Sequence, residues 1–318
     1  MLNKPWVRRS LLLLGVGICA YMVSRFPLRD IAGATLQLGP WVGIIPLIAL
    51  CWFALNSHAL GVLVGGKVPW AALMWQRVVG EGYNALIPAA GIGGEPFKLR
   101  ELSKYIETHV AIVALITDRL IDNSLALAYS AGACAVGALA ISMTAALKSS
   151  FLMYAAGAFA VAVVLVVAMM TSLTSKLGGR IAKLLGAEQL HNARFPTKTV
   201  LRAAAWQGIA KLLGMVELAV LLYLLDLPFT LSDVFFLAGA LSAAGFIGGA
   251  IPQGLGVQEV ATVGVFDILH YPGAAAVAFA LARRGRMLLL SVAGVGLHLM
   301  FGRATVAEPE VAAEPQQG

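Results

Sequence analysis

Runs of about 20 mostly apolar residues recur along this chain with turn signals between them, which is the length an α-helix needs to cross the hydrocarbon of a bilayer. They fall near 10–26, 40–64, 106–141, 151–172, 199–225 and 273–301. Lipid offers no partner for a free N–H or C=O, so an isolated strand is excluded and these runs are expected to be helices. Composition agrees: 59% of residues are apolar and 12% charged, against about 45–50% and about 25% in soluble domains. The basic start at Lys4, Arg8 and Arg9 resembles a secretory leader but lacks a small-residue cleavage site, so an uncleaved first span is expected. Cys19, Cys51 and Cys134 lie inside apolar runs and read as small hydrophobes.

Two further segments are apolar but interrupted. The first, 71–102, is broken by Pro88, Gly91, Gly93, Gly94 and Pro96, and the second, 231–270, by Pro252, Gly254 and Gly256. They match each other at a shift of 164 residues: Ile87-Pro88-x6-Glu95 falls on Ile251-Pro252-x6-Glu259, and Arg119 falls on Arg283. If both segments enter and leave on one side, most of the 23 Lys and Arg lie on the face holding the N-terminus, with Arg25, Arg29 and Lys148 opposite. That bias places both termini in the cytoplasm. It also explains the formal net charge of +7 as basic loops facing anionic lipid.

The expected fold is all-α: a polytopic membrane protein with about six full transmembrane helices plus two re-entrant broken segments arranged as an inverted repeat. One membrane domain covers 1–302, with repeat-like halves at about 40–141 and 199–301. A polar cytoplasmic connector occupies 174–198 and carries a short interfacial helix around 177–185. The Pro- and Glu-containing tail, 303–318, is expected to be disordered and cytoplasmic. Paired broken segments near the midplane are the way many carriers build a polar site in lipid.

The residues available to such a site are charges at membrane depth, each costing at least about 2.5–3.5 kcal/mol to insert unless it faces protein or water. Asp118, Arg119 and Asp122 share one helix at spacings that let them touch one another. Either they form an internal salt bridge, or Arg119 offers its planar donor fork to a phosphate. Arg283, Arg284 and Arg286 put three guanidiniums on one turn, more than Glu259 and Asp267 can neutralise, so an anion is a candidate partner. Glu95 and Glu259 stand where they would cap the following helices, form ion pairs or bind a cation. Lys211 and Glu217, six apart on one helix, both await partners elsewhere, and Asn84 and Asn123 read as interhelical hydrogen bonders. The headgroup cavity is therefore expected from Glu95, Asp118, Arg119, Asp122, Glu259, Arg283, Arg284 and Arg286. Asn84, Pro88, Gly91, Gly93, Gly94, Pro252, Gly254 and Gly256 shape the turns.

His58, His109, His191, His270 and His298 have no metal-ligand spacing, and GxSxG, HExxH and Walker A motifs are missing. No metal, no cofactor and no catalytic residue are expected. No nucleic-acid motif accompanies the positive charge.

The stretch from Asn84 through Pro88 to Glu95, then Asp118-Arg119-Leu120-Ile121-Asp122, then Ile251-Pro252 through Gly256 to Glu259 resembles the flippase-like transmembrane region of the lysylphosphatidylglycerol synthase family, over roughly 5–302. The resemblance implies a bacterial inner-membrane protein that moves a phospholipid or related anionic lipid, and since the sequence has no ATP site the movement is expected to be downhill or coupled to an ion gradient. Its partners would be membrane lipids and a lipid-synthesising enzyme, and its oligomeric state is left open. The aminoacyl-transferase domain of bifunctional relatives is expected to be absent, because the sequence stops about 15 residues after its last helix. The alternatives are a non-transporting accessory protein for a lipid-modifying enzyme, or a carrier of polyprenyl-phosphate or a small anionic solute.

Overall fold

The computed structural model describes residues 27–86, 93–170, 195–248 and 254–301, all of them helix or the links between helices. Ten α-helices follow in order: α1 Leu28–Gln37, α2 Ile44–Leu63, α3 Trp70–Leu86, α4 Glu95–Leu102, α5 Thr108–Ala140, α6 Ala145–Met170, α7 Thr197–Leu224, α8 Leu231–Ile247, α9 Val257–Ile268 and α10 Gly273–Phe301. Proline sets several starts: Pro27, Pro69, Pro196 and Pro272 stand directly before α1, α3, α7 and α10, where a fixed φ and a missing N–H cost nothing. A capping box starts α8, with the Thr230 N–H donating to Asp233 at 2.7 Å. Gly65 and Gly66, at φ of 66° and 72°, end α2 in a left-handed turn.

Among the described residues, three helices are long and apolar enough to cross a membrane: Pro40–Leu63, whose first turn is a 3-10 helix, Ala145–Met169 and Thr197–Leu224. The longer α5 and α10, of 33 and 29 residues, carry charges near their middles. The two interrupted segments are each two helices with a break, α3 with α4 and α8 with α9, as the Pro-Gly pattern predicts. The 10–26 span, residues 174–194 of the connector with the helix expected at 177–185, the 303–318 tail, and Pro88, Gly91 and Pro252 lie outside the described residues, while the end of the connector, Thr197 and Lys198, already belongs to α7. The amphipathic α1 was not foreseen, since ten residues of mixed character give no long apolar run.

Helix packing pairs the two halves crosswise. The long helix α10 of the second half lies on α3 of the first, α5 of the first lies on α8 of the second, and α2 lies on α7. Glycine permits both close seams. A Cβ on Gly82 would meet the Ser291 carbonyl, and one on Gly294 the Val78 carbonyl. In the other seam, Gly239 and Gly137 face Ala133 and the Phe236 ring. Ser130 Oγ donates to the Gly239 carbonyl at 3.0 Å across that second seam.

Candidate functional site

Between these seams lies a cavity of about 680 Å³, within the roughly 300–1,000 Å³ usual for ligand sites. Seven helices supply its wall, and its charged lining is Glu81, Asp122, Lys211, Glu217, Arg283 and Arg286. Trp52, Phe53 and Leu218 add apolar surface, while Asn84, Asn123, Ser242 and Gln258 add uncharged polar groups. Of the residues expected at the headgroup site, Asp122, Arg283 and Arg286 line this cavity. Glu259 and Arg284 line a smaller recess beside it, together with Arg283 and Arg286. Glu95, Asp118 and Arg119 do not line the main cavity.

The first-half charges form two networks. Asp118, Arg119 and Asp122 do not pair with one another as their spacing suggests; each is drawn to a different helix. Arg77 of α3 donates to Asp118 at 2.9 Å, Gln207 of α7 donates to the other carboxylate oxygen at 2.6 Å, and all three side chains are buried. Arg119 binds Glu95 at 2.6 Å, with Glu81 3.9 Å away. Lys98 sits between the same two acids, 2.6 Å from Glu81 and 3.1 Å from Glu95. The basic run around Lys98 suggests a cytoplasmic loop, but Lys98 is 2% exposed on α4, because two carboxylates compensate its desolvation. Asn84 bridges the break: its carbonyl oxygen accepts from the Gly94 N–H at 2.7 Å, and its amide donates to Glu81 at 3.3 Å. Gly94 is required there, since a Cβ would overlap the Gly80 carbonyl.

The second-half charges follow a related plan. Arg284 binds Glu259 through both carboxylate oxygens and reaches the Gly254 carbonyl at 3.3 Å. Glu259 also accepts from the Gly256 N–H at 2.8 Å, so it caps α9 and forms an ion pair at once. Gly254 and Gly256, at φ of 58° and 85°, make the left-handed turns that bring the chain into α9. Arg284, not Arg283, thus binds the acid after the second break, as Arg119 binds the acid after the first. Lys211 finds Asp122 at 2.6 Å, and Glu217 finds Arg286 at 2.8 Å, so the two α7 charges that lacked local partners are paired across helices. Asp267, expected to neutralise part of the arginine cluster, is exposed instead. Arg283 makes no ion pair among the described residues, and its buried Nε has no hydrogen-bond partner.

Three residues of these networks escaped the sequence reading. Glu81 and Gln207 were not singled out, and Lys98 was placed outside the membrane. A signal for Glu81 existed: Arg77 and Glu81 lie four apart on an apolar helix, where two opposite charges need a reason to be. Gln207 sits in an ordinary polar-apolar mix and gave none. Among the described residues, no three His, Cys, Asp or Glu are grouped to hold a metal. Each carboxylate of the two networks is already bound to a basic side chain.

Bilayer-length apolar helices packed around a charged internal cavity define a polytopic helical membrane protein with a polar interior site. The lysylphosphatidylglycerol synthase TM region matches residues 10–294, and the chain belongs to that family, a membrane domain linked to lipid handling. Comparison with curated proteins gave no match.

Proposed function

We propose that the protein is a lipid translocase that carries a phospholipid or related anionic lipid across the bacterial inner membrane without ATP, with both termini cytoplasmic. One observation carries this reading: Arg283 faces the cavity with no salt bridge of its own, its acidic neighbours Glu217 and Glu259 being bound to Arg286 and Arg284, while the other membrane-depth bases of the described residues are paired. A guanidinium held in a low-dielectric site without its counterion attracts an anion, and its planar fork suits a phosphate. The headgroup would occupy the cavity while its acyl chains stay in lipid.

The crosswise packing supports an inverted repeat, because exchanging the halves turns the α3–α10 contact into the α8–α5 contact. Two such halves can rock about a central site and open it to either side in turn. Movement is downhill or coupled to an ion gradient. The reading as a carrier and not an enzyme is supported by the paired state of the cavity acids, which leaves none poised as a general base.

The test is a dithionite-quenching assay in proteoliposomes with acyl-chain-labelled phosphatidylglycerol. Wild-type protein is expected to expose inner-leaflet probe, and Arg283→Ala to slow this by about tenfold or more, as the loss of a charged partner implies. A folded Arg283→Ala protein that flips at the wild-type rate would remove the mechanism.

A further inference from the structure

The charges around the cavity also restrict what the headgroup carries. Among the described residues, seven bases, Arg77, Lys98, Arg119, Lys211, Arg283, Arg284 and Arg286, face six acids, and the one-to-one pairings leave a single positive charge at Arg283. Arg286 lies one turn further along α10; its charge is answered by Glu217, but its buried Nε–H has no acceptor. Both Nε–H groups are closed off from the cavity, but Arg283 lines it and its terminal N–H groups make no hydrogen bond among the described residues, so the two non-bridging oxygens of a phosphodiester are acceptors that suit its fork. On residues that line the same cavity, the Oε1 of Glu217 is closed off without a donor and the Tyr129 hydroxyl without a partner, so each meets a headgroup only once its side chain turns toward the cavity. A neutral hydroxyl group satisfies both without altering the charge.

Resting on the lipid-binding reading above, we infer that the site selects a lipid of one net negative charge, a phosphodiester whose remaining headgroup is uncharged and hydroxyl-bearing. Such a ligand brings these charges to neutrality. A zwitterionic headgroup leaves one positive charge uncompensated, and a headgroup of net positive charge leaves two. A phosphomonoester, which carries up to two charges near neutral pH, leaves a negative one. An uncompensated charge in a low-dielectric site is what binding there avoids.

Native mass spectrometry of the full chain in detergent, given equal amounts of four lipids, reads this selection. The probes are phosphatidylglycerol, phosphatidylethanolamine, phosphatidic acid and a lysine ester of phosphatidylglycerol. Phosphatidylglycerol is expected to be retained about tenfold over each of the others, a difference that one unmatched charge readily supplies. Arg283→Gln abolishes the preference and Arg283→Lys, which keeps the charge, preserves its order. Equal retention of the four, preference for either amine-bearing lipid or for phosphatidic acid, or unchanged selection by folded Arg283→Gln overturns the inference. If Arg283→Gln does not fold, the wild-type and Arg283→Lys orders decide it. The same four lipids with labelled acyl chains, in proteoliposomes, separate the two claims. Selective retention with no lipid moved faster than in protein-free vesicles ends the translocase reading but leaves the site's selectivity standing. Equal movement of all four keeps the translocase and ends the selectivity.

Discussion

Lys98 is a charged side chain at 2% exposure, held by Glu81 and Glu95 with Arg119 on the far side of the same acids. Ions buried in this way depend on their partners, and removing one partner of a buried pair costs about 3–5 kcal/mol because the other charge is stranded. Lys98→Met is expected to lose stability on that scale, read as a lower unfolding midpoint in detergent; an unchanged midpoint would mean that water, not Lys98, screens the two acids. The Arg77–Asp118 pair permits a sharper comparison. Asp118→Leu alone strands Arg77 and lowers the midpoint, whereas Arg77→Met with Asp118→Leu is expected to recover most of the loss, since an apolar pair of similar volume often replaces a buried ion pair at little cost. Charges such as these are visible in sequence as misfits in apolar helices. Their partners are not, because Lys98 and Glu81 are 17 residues apart and Gln207 and Asp118 are 89 apart, distances that no helical spacing encodes.

At the level of elements, the two breaks are legible because proline and clustered glycine cannot continue a helix, and α3–α4 and α8–α9 fall where those residues are. The register around each break is less legible. Glu95 is the first residue of α4, whereas Glu259 is the third of α9, behind a Gly256 cap. A shift counted from the Ile-Pro motifs aligns Arg119 with Arg283, but α5 starts at Thr108 and α10 at Gly273, one residue further than that shift, and the acid of the second half binds Arg284. The first break depends on backbone contact: Gly94 lies against the Gly80 carbonyl, and its N–H is held by Asn84. Gly94→Ala forces α3 and α4 apart, and is expected to lower both the unfolding midpoint and lipid movement. Gly157→Ala on α6, where a Cβ meets nothing within 4 Å, is the matched control and is expected to behave as wild type. Equal behaviour of the two variants would show that the close approach at Gly94 is not needed.

For the whole molecule, the crosswise contacts make a mechanical claim. If the halves rock about the cavity, the α3–α10 seam and the α5–α8 seam must loosen in turn, since each joins a helix of one half to a helix of the other. Both seams are close enough to be tied: a Cβ at Gly239 would fall 2.5 Å from that of Ala133, and one at Gly82 lies 3.2 Å from a Val295 methyl group. Disulfides need Cβ atoms about 3.5–4.5 Å apart, so the first pair demands a small outward shift, and in the second the Val295 methyl group marks a place its cysteine sulfur could take. In a background free of Cys19, Cys51 and Cys134, the Gly82→Cys/Val295→Cys pair and the Ala133→Cys/Gly239→Cys pair are each expected to stop lipid movement when oxidised. Reduction should restore it. Either lock alone must suffice, because a carrier fixed at one gate can exchange its site with only one leaflet. A protein that moves lipid at full rate with both seams oxidised would have its lipid path somewhere other than between the halves, and the cavity at Arg283 would then have to work as a static groove.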